Sequence, residues 1–297
     1  MLDIFYCDHY DLPLPPGHKF PLPKYRLVRE ELQNDPRFTL RAAVPAERPP
    51  LLKIHTETYV NEFLTGTLPP AALRRIGLPW SPELVLRTLA SVGATLCATE
   101  SALARGFGGT LAGGTHHAFR DEGAGFCVFN DLAIAIEWTR ACGHINRAAV
   151  VDLDVHQGDG TAAIFAGDPE VFTLSMHGAR NFPFRKQKSV LDIELPDGTT
   201  DEAYLLALQS GLDRVWDFEP DLLLFQSGVD GLSTDRLGRL SLSPEGLRCR
   251  DQLVIGQTHA LGVPLVLTLG GGYSDPIQNT VSAHANTFRT AANIFHH

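Results

Sequence analysis

Cysteine is scarce in this sequence, and no two cysteines are spaced for a metal site or a redox pair. The 297 residues include five cysteines and no Cys-x-x-Cys motif. An odd number of cysteines cannot all pair within one chain, and scattered thiols are typical of a reducing compartment. We therefore expect reduced thiols in a cytoplasmic protein, at Cys7, Cys97, Cys127, Cys142 and Cys249.

Long apolar runs and an excess of positive charge are also absent. No apolar run approaches the roughly 18 residues of a membrane-spanning helix. Residues 1–10 lack the basic start and apolar core of a signal peptide, so we expect a mature chain that makes no membrane contact. The 34 Asp and Glu exceed the 25 Lys and Arg, which gives a formal charge of −9. This balance argues against direct nucleic-acid binding and favours a cationic substrate.

Short β-rich runs alternate with longer helical patterns along the chain. Most of the predicted strands are apolar throughout, as strands buried on both faces are. They cover residues 2–6, 147–155, 171–176, 221–226 and 264–269. Helical periodicity covers residues 24–34, 82–105, 130–142, 201–218, 244–261 and 282–295. The alternation predicts an α/β fold in which helices cover both faces of a mainly parallel sheet.

No internal repeat, low-complexity tract or charge block divides the chain, so residues 1–297 are predicted to form a single domain. The proline-rich segment 11–50 is interpreted as surface loops around one helix, and residues 69–82 as a loop. The terminal pair His296-His297 is interpreted as a tail without a metal role.

Three polar side chains follow one predicted strand at spacings of two residues. They are Asp152, Asp154 and His156, and Gly158-Asp159-Gly160 comes directly after them. Side chains two residues apart share a face of an extended chain, and open α/β sheets bind ligands beyond the carboxyl ends of their strands. Burying two carboxylates and an imidazole is costly unless a cation or a hydrogen-bond network receives them. We prefer this interpretation to a helix-capping aspartate beside a solvated histidine.

A glycine-rich segment places two histidines side by side, at His116 and His117. Adjacent side chains of an extended chain point to opposite sides, so both rings serve one site only if the chain bends there. Each imidazole then needs an acceptor for its far nitrogen, and Asp152 and Asp159 are available. The alternative is a pair of solvated loop residues.

Asp230 follows the apolar run 222–225 and so lies just past a strand end. It completes an Asp-His-Asp set with Asp154 and His156. Three protein ligands with room for water and substrate are typical of a catalytic zinc site, as opposed to a structural one.

Tyr273 follows three glycines at the end of the last predicted strand. This segment lacks both the GxGxxG pattern and the Lys-Ser/Thr of a phosphate-binding loop. Glycines let a backbone pass close to a substrate, and a phenol there could donate a hydrogen bond to a developing oxyanion. The alternative is a tyrosine packed over the turn.

Taken in order, these motifs resemble the histone deacetylase family over about residues 1–290, and most of all its bacterial and class IV members. The resemblance rests on Gly113-Gly114-Thr115-His116-His117-Ala118, Gly125-Phe126-Cys127-Val128-Phe129-Asn130-Asp131, Asp152-Leu153-Asp154-Val155-His156-Gln157-Gly158-Asp159-Gly160, Ser175-Met176-His177, Val229-Asp230 and Leu269-Gly270-Gly271-Gly272-Tyr273. It implies the arginase-deacetylase fold, a single α/β domain. It also implies metal-dependent removal of an acetyl or longer acyl group from the ε-amine of lysine in proteins or peptides.

The resemblance also assigns roles to individual residues. It implies a Zn²⁺ site, for which Fe²⁺ is a second candidate, at Asp154, His156 and Asp230. The catalytic set that it implies is His116, His117, Tyr273 and the acceptors Asp152 and Asp159. The substrate tunnel that it implies includes Gly125, Phe126 and Gly271, with Phe182, Phe184 or neither as the second aromatic wall. A structural K⁺ site is a further implication, at Asp152, Asp154, His156, Ser175 and Met176, because oxygen ligands suit such a cation.

The sequence departs from the family pattern at three places. Residues 177–188 diverge from the better-known subclasses, which leaves the acyl-chain preference open, and the other two departures are a substitution at a position that is not a metal ligand and a missing counterpart that leaves peptide selectivity open. Gln157 replaces the second histidine of an Asp-Val-His-His form, and residues 68–82 hold no counterpart of the aspartate that grips the substrate backbone. Other candidate functions are an acetylpolyamine amidohydrolase, a long-chain lysine deacylase, a non-catalytic acyl-lysine reader and an arginase-like binuclear hydrolase. The physiological substrate and the oligomeric state stay open.

Overall fold

A computed structural model describes residues 1–296, and His297 of the terminal pair lies outside the described residues. Eight strands form one sheet in the order β2-β1-β3-β8-β7-β4-β5-β6, and every neighbouring pair is parallel. The strands are β1 (Leu2–Tyr6), β2 (Phe38–Ala42), β3 (Phe107–Thr110), β4 (Ala148–Asp152), β5 (Val171–Gly178), β6 (Leu191–Leu195), β7 (Leu222–Gln226) and β8 (Leu265–Thr268).

Helices connect the strands. Within residues 1–296 they are α1 (Pro23–Leu32), α2 (Arg48–Leu51), α3 (Glu57–Thr65), α4 (Pro70–Ile76), α5 (Pro82–Arg105), α6 (Asp131–Ala141), α7 (Asp159–Ile164), α8 (Asp201–Asp217), α9 (Pro244–Ala260) and α10 (Ile277–Phe295). In this part of the chain no helix combines the length and the apolar character needed to cross a membrane.

Two apolar cores lie on opposite faces of the sheet, because successive strand residues point to opposite sides. Ala149 and Val151 of β4 pack in one core with α1, α8, α9 and α10. Ala148 and Val150 pack in the other core with α3, α4, α5 and α6. The predicted α/β class, with helices on both faces of a parallel sheet, is confirmed.

Local sequence fixes the boundaries of α5, which the prediction placed correctly. The Oγ atom of Ser81 accepts the N–H of Leu84 over 3.1 Å at the start of the helix. At its end, Gly106 adopts a left-handed conformation with φ of 84°, which glycine does at little cost.

Three strands and several short helices were not predicted. β2 lies inside the proline-rich segment that we interpreted as loops, and α4 lies inside the predicted loop 69–82. β2 is an edge strand of mixed polarity, so it lacks the apolar pattern of the inner strands. β3 contains two glycines because α5 packs closely on it: a Cβ atom on Gly108 would lie 1.8 Å from the carbonyl oxygen of Ala98.

The loops that carry the predicted metal ligands and catalytic residues leave the carboxyl ends of four neighbouring strands, β3, β8, β7 and β4, and the loop that carries Phe182 and Phe184 leaves the adjacent β5. Strand order therefore brings together segments that are far apart in sequence, at the edge where α/β sheets bind ligands.

Candidate metal centre and active site

The segment after β4 turns away from the sheet sooner than we predicted, because the strand ends at Asp152 and not at Val155. The Oδ1 atom of Asp152 accepts the N–H of Asp154 over 3.1 Å, and Oδ1 of Asp154 accepts the N–H of His156 over 3.0 Å. Aspartate favours such turns, in which its carboxylate binds the backbone two residues on. Two successive turns, and not an extended strand, place Asp154 and His156.

The three predicted metal ligands converge. The Nδ1 atom of His156 lies 2.9 Å from Oδ1 of Asp154 and 3.1 Å from Oδ2 of Asp230. One donor atom from each of the three residues lies within 4.8 Å of the others, and both carboxylates are buried. Among residues 1–296, nothing makes a hydrogen bond to Oδ2 of Asp230. A buried, unsatisfied carboxylate oxygen beside an Asp-His pair fits a divalent ion such as Zn²⁺ or Fe²⁺.

The remaining oxygens of the two carboxylates are held by backbone donors. Oδ1 of Asp230 accepts the N–H of Val155 over 2.8 Å, and Oδ2 of Asp154 accepts the N–H of Gly271 over 2.6 Å. A Cβ atom on Gly271 would lie 1.9 Å from Oδ2 of Asp230, so only glycine fits there. The carbonyl of Gly271 accepts the N–H of Val229, so both of its backbone polar groups are occupied.

Burial shapes the charges of this group. Burial, together with the charge of Asp154, raises the pKa of Asp230. Burial alone would lower the pKa of His156, but its hydrogen bond to Asp154 and the nearby negative charge of Asp230 outweigh burial and raise it. A proton on His156 thus balances the carboxylates when no ion does, and ion binding is expected to release it.

His116 and His117 occupy a turn, as the shared-site interpretation requires. The Nδ1 atom of His116 lies 2.7 Å from Oδ2 of Asp152, and Nδ1 of His117 lies 2.6 Å from Oδ1 of Asp159. Burial, aided by the charge of His116, lowers the pKa of His117 to about 4. Burial also opposes the charged form of His116, but Asp152 and Asp154 outweigh it and raise the pKa to about 9. The two rings therefore favour opposite protonation states near neutral pH.

Tyr273 lines the same cavity as the tandem histidines. Its ring centroid is 6.4 Å from that of His156, with the two rings nearly perpendicular. Its backbone N–H donates to Oδ2 of Asp235 over 2.6 Å, and Oδ1 of Asp235 accepts the N–H groups of Leu237 and Gly238. Sequence reasoning missed Asp235, which has no motif of its own and follows Asp230 by five residues.

A cavity of about 370 Å³ opens onto these groups, and all but one of the predicted tunnel residues line it. Gly125, Phe126, Gly271 and Phe182 line it, and the Phe182 ring lies edge-on to His117 at 4.9 Å between centroids. Phe184 is 90% exposed and is not part of the lining. Of the two predicted alternatives for the second aromatic wall, the structure brings only Phe182 to the cavity.

The wall formed by Gly125 and Phe126 depends on α4. The N–H of Gly125 donates to the carbonyl of Arg75, and the N–H of Phe126 donates to that of Ile76. Both wall residues have positive φ, 54° and 67°. A Cβ atom on Gly125 would lie 2.6 Å from Cδ2 of His117, so the glycine allows the wall to approach the catalytic candidates.

Three of the residues predicted to hold K⁺, Asp152, Ser175 and Met176, lie on the adjacent strands β4 and β5, and Asp154 and His156 follow β4. Asp152 is paired in register with Ser175, and both are buried, as is Met176. The Oγ atom of Ser175 lies 3.0 Å from Nδ1 of His177. The K⁺ site stays a prediction.

Comparison with known proteins gives one family across most of the chain. The sequence profile described as Histone deacetylase domain matches residues 18–288. The chain belongs to the histone deacetylase family. This confirms the resemblance seen in the motifs, and the parallel sheet agrees with the arginase-deacetylase fold. As a member of that family the protein is a hydrolase, and Asp154, His156 and Asp230 form a possible metal-binding group of a generally metal-dependent family.

Similar proteins come from several kinds of organism. An uncharacterised protein of Picosynechococcus sp. (strain ATCC 27264 / PCC 7002 / PR-6) is 44% identical over 98% of this chain and 99% of its own. Histone deacetylase 2 of Arabidopsis thaliana is 29% identical over 92% of this chain and 74% of its own. A histone deacetylase-like amidohydrolase of Pseudomonas aeruginosa is 31% identical over 80% of this chain and 67% of its own. These relatives support a deacylase or amidohydrolase activity in general terms.

Proposed function

We propose that this histone deacetylase family hydrolase removes acetyl or longer acyl groups from the ε-amine of lysine in proteins or peptides. The observation that carries the proposal is the convergence of three groups of side chains on one cavity. Asp154 and His156, the His116-His117 pair and Tyr273 all line it, and Asp230 lies directly beside His156. Amide hydrolysis needs an activated water, a proton carrier and an oxyanion donor, and these residue types supply all three.

Asp154, His156 and Asp230 would hold a divalent ion, for which we propose Zn²⁺, with Fe²⁺ as the alternative. When bound, such an ion polarises the amide carbonyl and lowers the pKa of water toward neutrality. Support comes from the unsatisfied Oδ2 atom of Asp230 and from the two-carboxylate, one-imidazole donor set.

His117 is the proposed proton carrier. Its Nδ1 atom is engaged by Asp159, so its Nε2 atom is the one left for the reaction. A lowered pKa keeps the ring neutral and able to accept a proton from the attacking water, which it then delivers to the leaving amine. His116, with its raised pKa and its bond to Asp152, would supply positive charge beside the reacting carbonyl.

Tyr273 is the proposed oxyanion donor. It lines the cavity together with His117 and lies close to the ring of His156, and from there the phenol would donate to the tetrahedral oxygen. Burial raises the pKa of this phenol well above its usual range, which keeps it protonated as a donor must be.

The deciding experiment is turnover of acetyl-lysine and long-chain acyl-lysine peptides and of an acetylpolyamine. The full-length chain is tested as purified, after chelator treatment, and after reloading with Zn²⁺ or Fe²⁺. We expect hydrolysis of acyl-lysine that is lost on chelation and restored by metal. Faster hydrolysis of the acetylpolyamine would mean that the substrate class is acylated polyamines and not acyl-lysine. Stoichiometric metal without hydrolysis of any substrate would point to an acyl-lysine reader.

We also propose that the protein acts in the cytoplasm. All five cysteines are free thiols, and Cys7 and Cys127 are buried. Free thiols of this kind fit a reducing compartment.

A further inference from the structure

Two buried cations line the cavity without a counter-ion. Lys24 on α1 is 1% exposed and Arg87 on α5 is 7% exposed. Within residues 1–296, neither has a carboxylate at ion-pair distance. The Nζ atom of Lys24 donates to the carbonyl of Gly270 over 2.7 Å, and Nη1 of Arg87 donates to the carbonyl of Cys7. Uncompensated buried charge is costly, so this pair calls for an anionic partner.

Both cations face the same ring. The Nζ atom of Lys24 lies 5.2 Å from the centroid of Tyr25, and the guanidinium carbon of Arg87 lies 5.1 Å from it. The Nζ atom also lies 5.5 Å from the Tyr273 ring. Lys24 is therefore next to the catalytic candidates, whereas Arg87 continues the cavity lining toward the end of β1.

Neighbouring acids do not neutralise the pair. Asp154 and Asp230 would be balanced by the divalent ion of the proposed function, and Asp235, which also lies near Lys24, already accepts three backbone N–H groups. Asp131 lies behind the cavity wall, where its oxygens already accept donors from Gly114 and Thr115. Arginine stays protonated at any ordinary pH, so Arg87 keeps its charge.

We propose that Lys24 and Arg87 form a carboxylate subsite that binds the terminal carboxylate of a dicarboxylic acyl group, such as succinyl or glutaryl, on the substrate amine. This inference rests on the proposed function and specifies its substrate class. An acetyl group extends only one methyl carbon beyond the reacting carbonyl, whereas a succinyl group carries two methylenes and a carboxylate beyond it, which could reach further into the cavity. Two cations at successive positions along the lining suit a chain of that kind better than a single small anion.

The reaction balances as a simple hydrolysis. Water adds its oxygen to the amide carbon, the C–N bond breaks, and the amine leaves with the proton from water. The products are the free lysine and a dicarboxylate, so no oxidant or further reactant is needed.

The test is the ratio of kcat/KM for a succinyl-lysine peptide to that for the same peptide with an uncharged succinamyl group. We expect the metal-loaded wild-type chain to prefer succinyl at least tenfold. Arg87→Gln should reduce the ratio by about 10- to 100-fold, the range for loss of a charge-assisted hydrogen bond. Arg87→Lys should retain part of it. Arg105→Gln is the matched control on the same helix, since Arg105 is exposed and pairs with Asp3, and it should leave the ratio unchanged.

Equal rates for the two acyl groups, or a preference that survives Arg87→Gln, would overturn the subsite. A second outcome would overturn the substrate class: competitive inhibition by acetate that weakens in Arg87→Gln, with no preference for succinyl. The two cations would then bind the carboxylate product after hydrolysis and not the acyl group of the substrate. If no acyl-lysine is hydrolysed, calorimetry separates the two proposals. Tighter binding of N-butylsuccinamic acid than of N-butylbutanamide, lost in Arg87→Gln, would support the subsite even though the deacylase had failed.

Discussion

The backbone N–H of Tyr273 donates to the Oδ2 atom of Asp235 over 2.6 Å. Asp235 lies on the loop that follows β7 and also carries Asp230, whereas Tyr273 lies on the loop after β8. One carboxylate therefore fixes the proposed oxyanion donor relative to a proposed metal ligand, although both residues lie on loops.

Asp235→Ala should lower kcat by about 10- to 100-fold with little loss of bound metal, because a catalytic group misplaced by about 1 Å loses about that much rate. Steady-state kinetics and metal analysis on the same samples give the two quantities. Asp213→Ala on the exposed face of α8 is the control. A large loss of metal with an unchanged rate per bound ion would mean that Asp235 supports metal binding and does not position Tyr273.

Tyr273→Phe should reduce kcat by about 10²- to 10³-fold, the usual cost of removing one oxyanion donor. KM should change little if the phenol acts mainly in the transition state. Tyr6→Phe, on β1, is the control for loss of a phenol elsewhere. Near-full turnover by Tyr273→Phe would remove this residue from the mechanism.

Metal should stabilise the fold as well as enable catalysis. A ligand present at 100 times its Kd stabilises the native state by about 2.7 kcal/mol, so chelation should lower Tm and one ion per chain should restore it. Asp230→Asn should show the lower Tm with or without added metal. Thermal unfolding and elemental analysis test both statements. A Tm that rises with metal in the Asp230→Asn variant as it does in the wild type would contradict them.

Arg250 is fully buried on α9 and binds Oδ1 of Asp251 through Nε and Nη2, at 2.8 and 2.7 Å. It also donates to the carbonyl of Gly228, two residues before Asp230. Arg250→Met should cost about 3–5 kcal/mol in urea unfolding, because it leaves the buried Asp251 without its partner. Arg250→Met combined with Asp251→Leu should recover part of the loss.

Arg248→Met is the matched control for that measurement, since Arg248 lies on the same helix in an exposed pair with Glu245. Exposed pairs contribute about 1 kcal/mol or less. A double variant no more stable than Arg250→Met would mean that the bond to the Gly228 carbonyl, and not the ion pair, provides the stability.

Stability should fall in mild acid because of a buried histidine outside the active site. Burial lowers the pKa of His55 to about 4, and its Nε2 atom accepts the N–H of Asn130. Below its ordinary pKa of 6.5 the unfolded chain takes up a proton that the native ring resists. The contribution of His55, up to about 3 kcal/mol, is therefore present above about pH 6.5 and lost as pH falls toward about 4.

His55→Gln should flatten the slope of unfolding free energy against pH between 6.5 and 4, even if it lowers stability throughout. Urea titrations at several pH values measure the slope. His144→Gln, an exposed histidine, is the control. An identical slope in His55→Gln and the wild type would assign the acid sensitivity to other buried histidines, such as His177.

Elements with clear local sequence signals were predicted. Elements that depend on packing against distant parts of the chain were missed. α5 was predicted within its observed bounds because Ser81, Pro82 and Gly106 mark its ends. β3 was not predicted, because its two glycines weaken the strand pattern. They are explained only by the close packing of α5 against β3. β2 was hidden among prolines and polar residues at the edge of the sheet.

The same distinction applies to the candidate site. Motif order predicted that Asp154, His156 and Asp230 would meet, and they do. Asp235, Lys24 and Arg87 belong to no sequence motif. Their surroundings are backbone atoms, aromatic rings and a cavity that distant segments of the chain form, so the local sequence does not indicate them. In particular, the helical pattern around Lys24 does not indicate that its side chain is buried.

The position of β8 between β3 and β7 also affects how the molecule is made. Ribosomal synthesis releases β1 to β7 before β8, so the sheet remains split, with two open strand edges at its centre, until β8 emerges. Open edges of this kind recruit other strands, and pairing between distant segments is slow. The nascent protein thus passes through a stage in which it is prone to aggregate. A truncated product that ends before residue 265 lacks the strand that joins β3 to β7, and so it cannot bring the residues of the candidate site together.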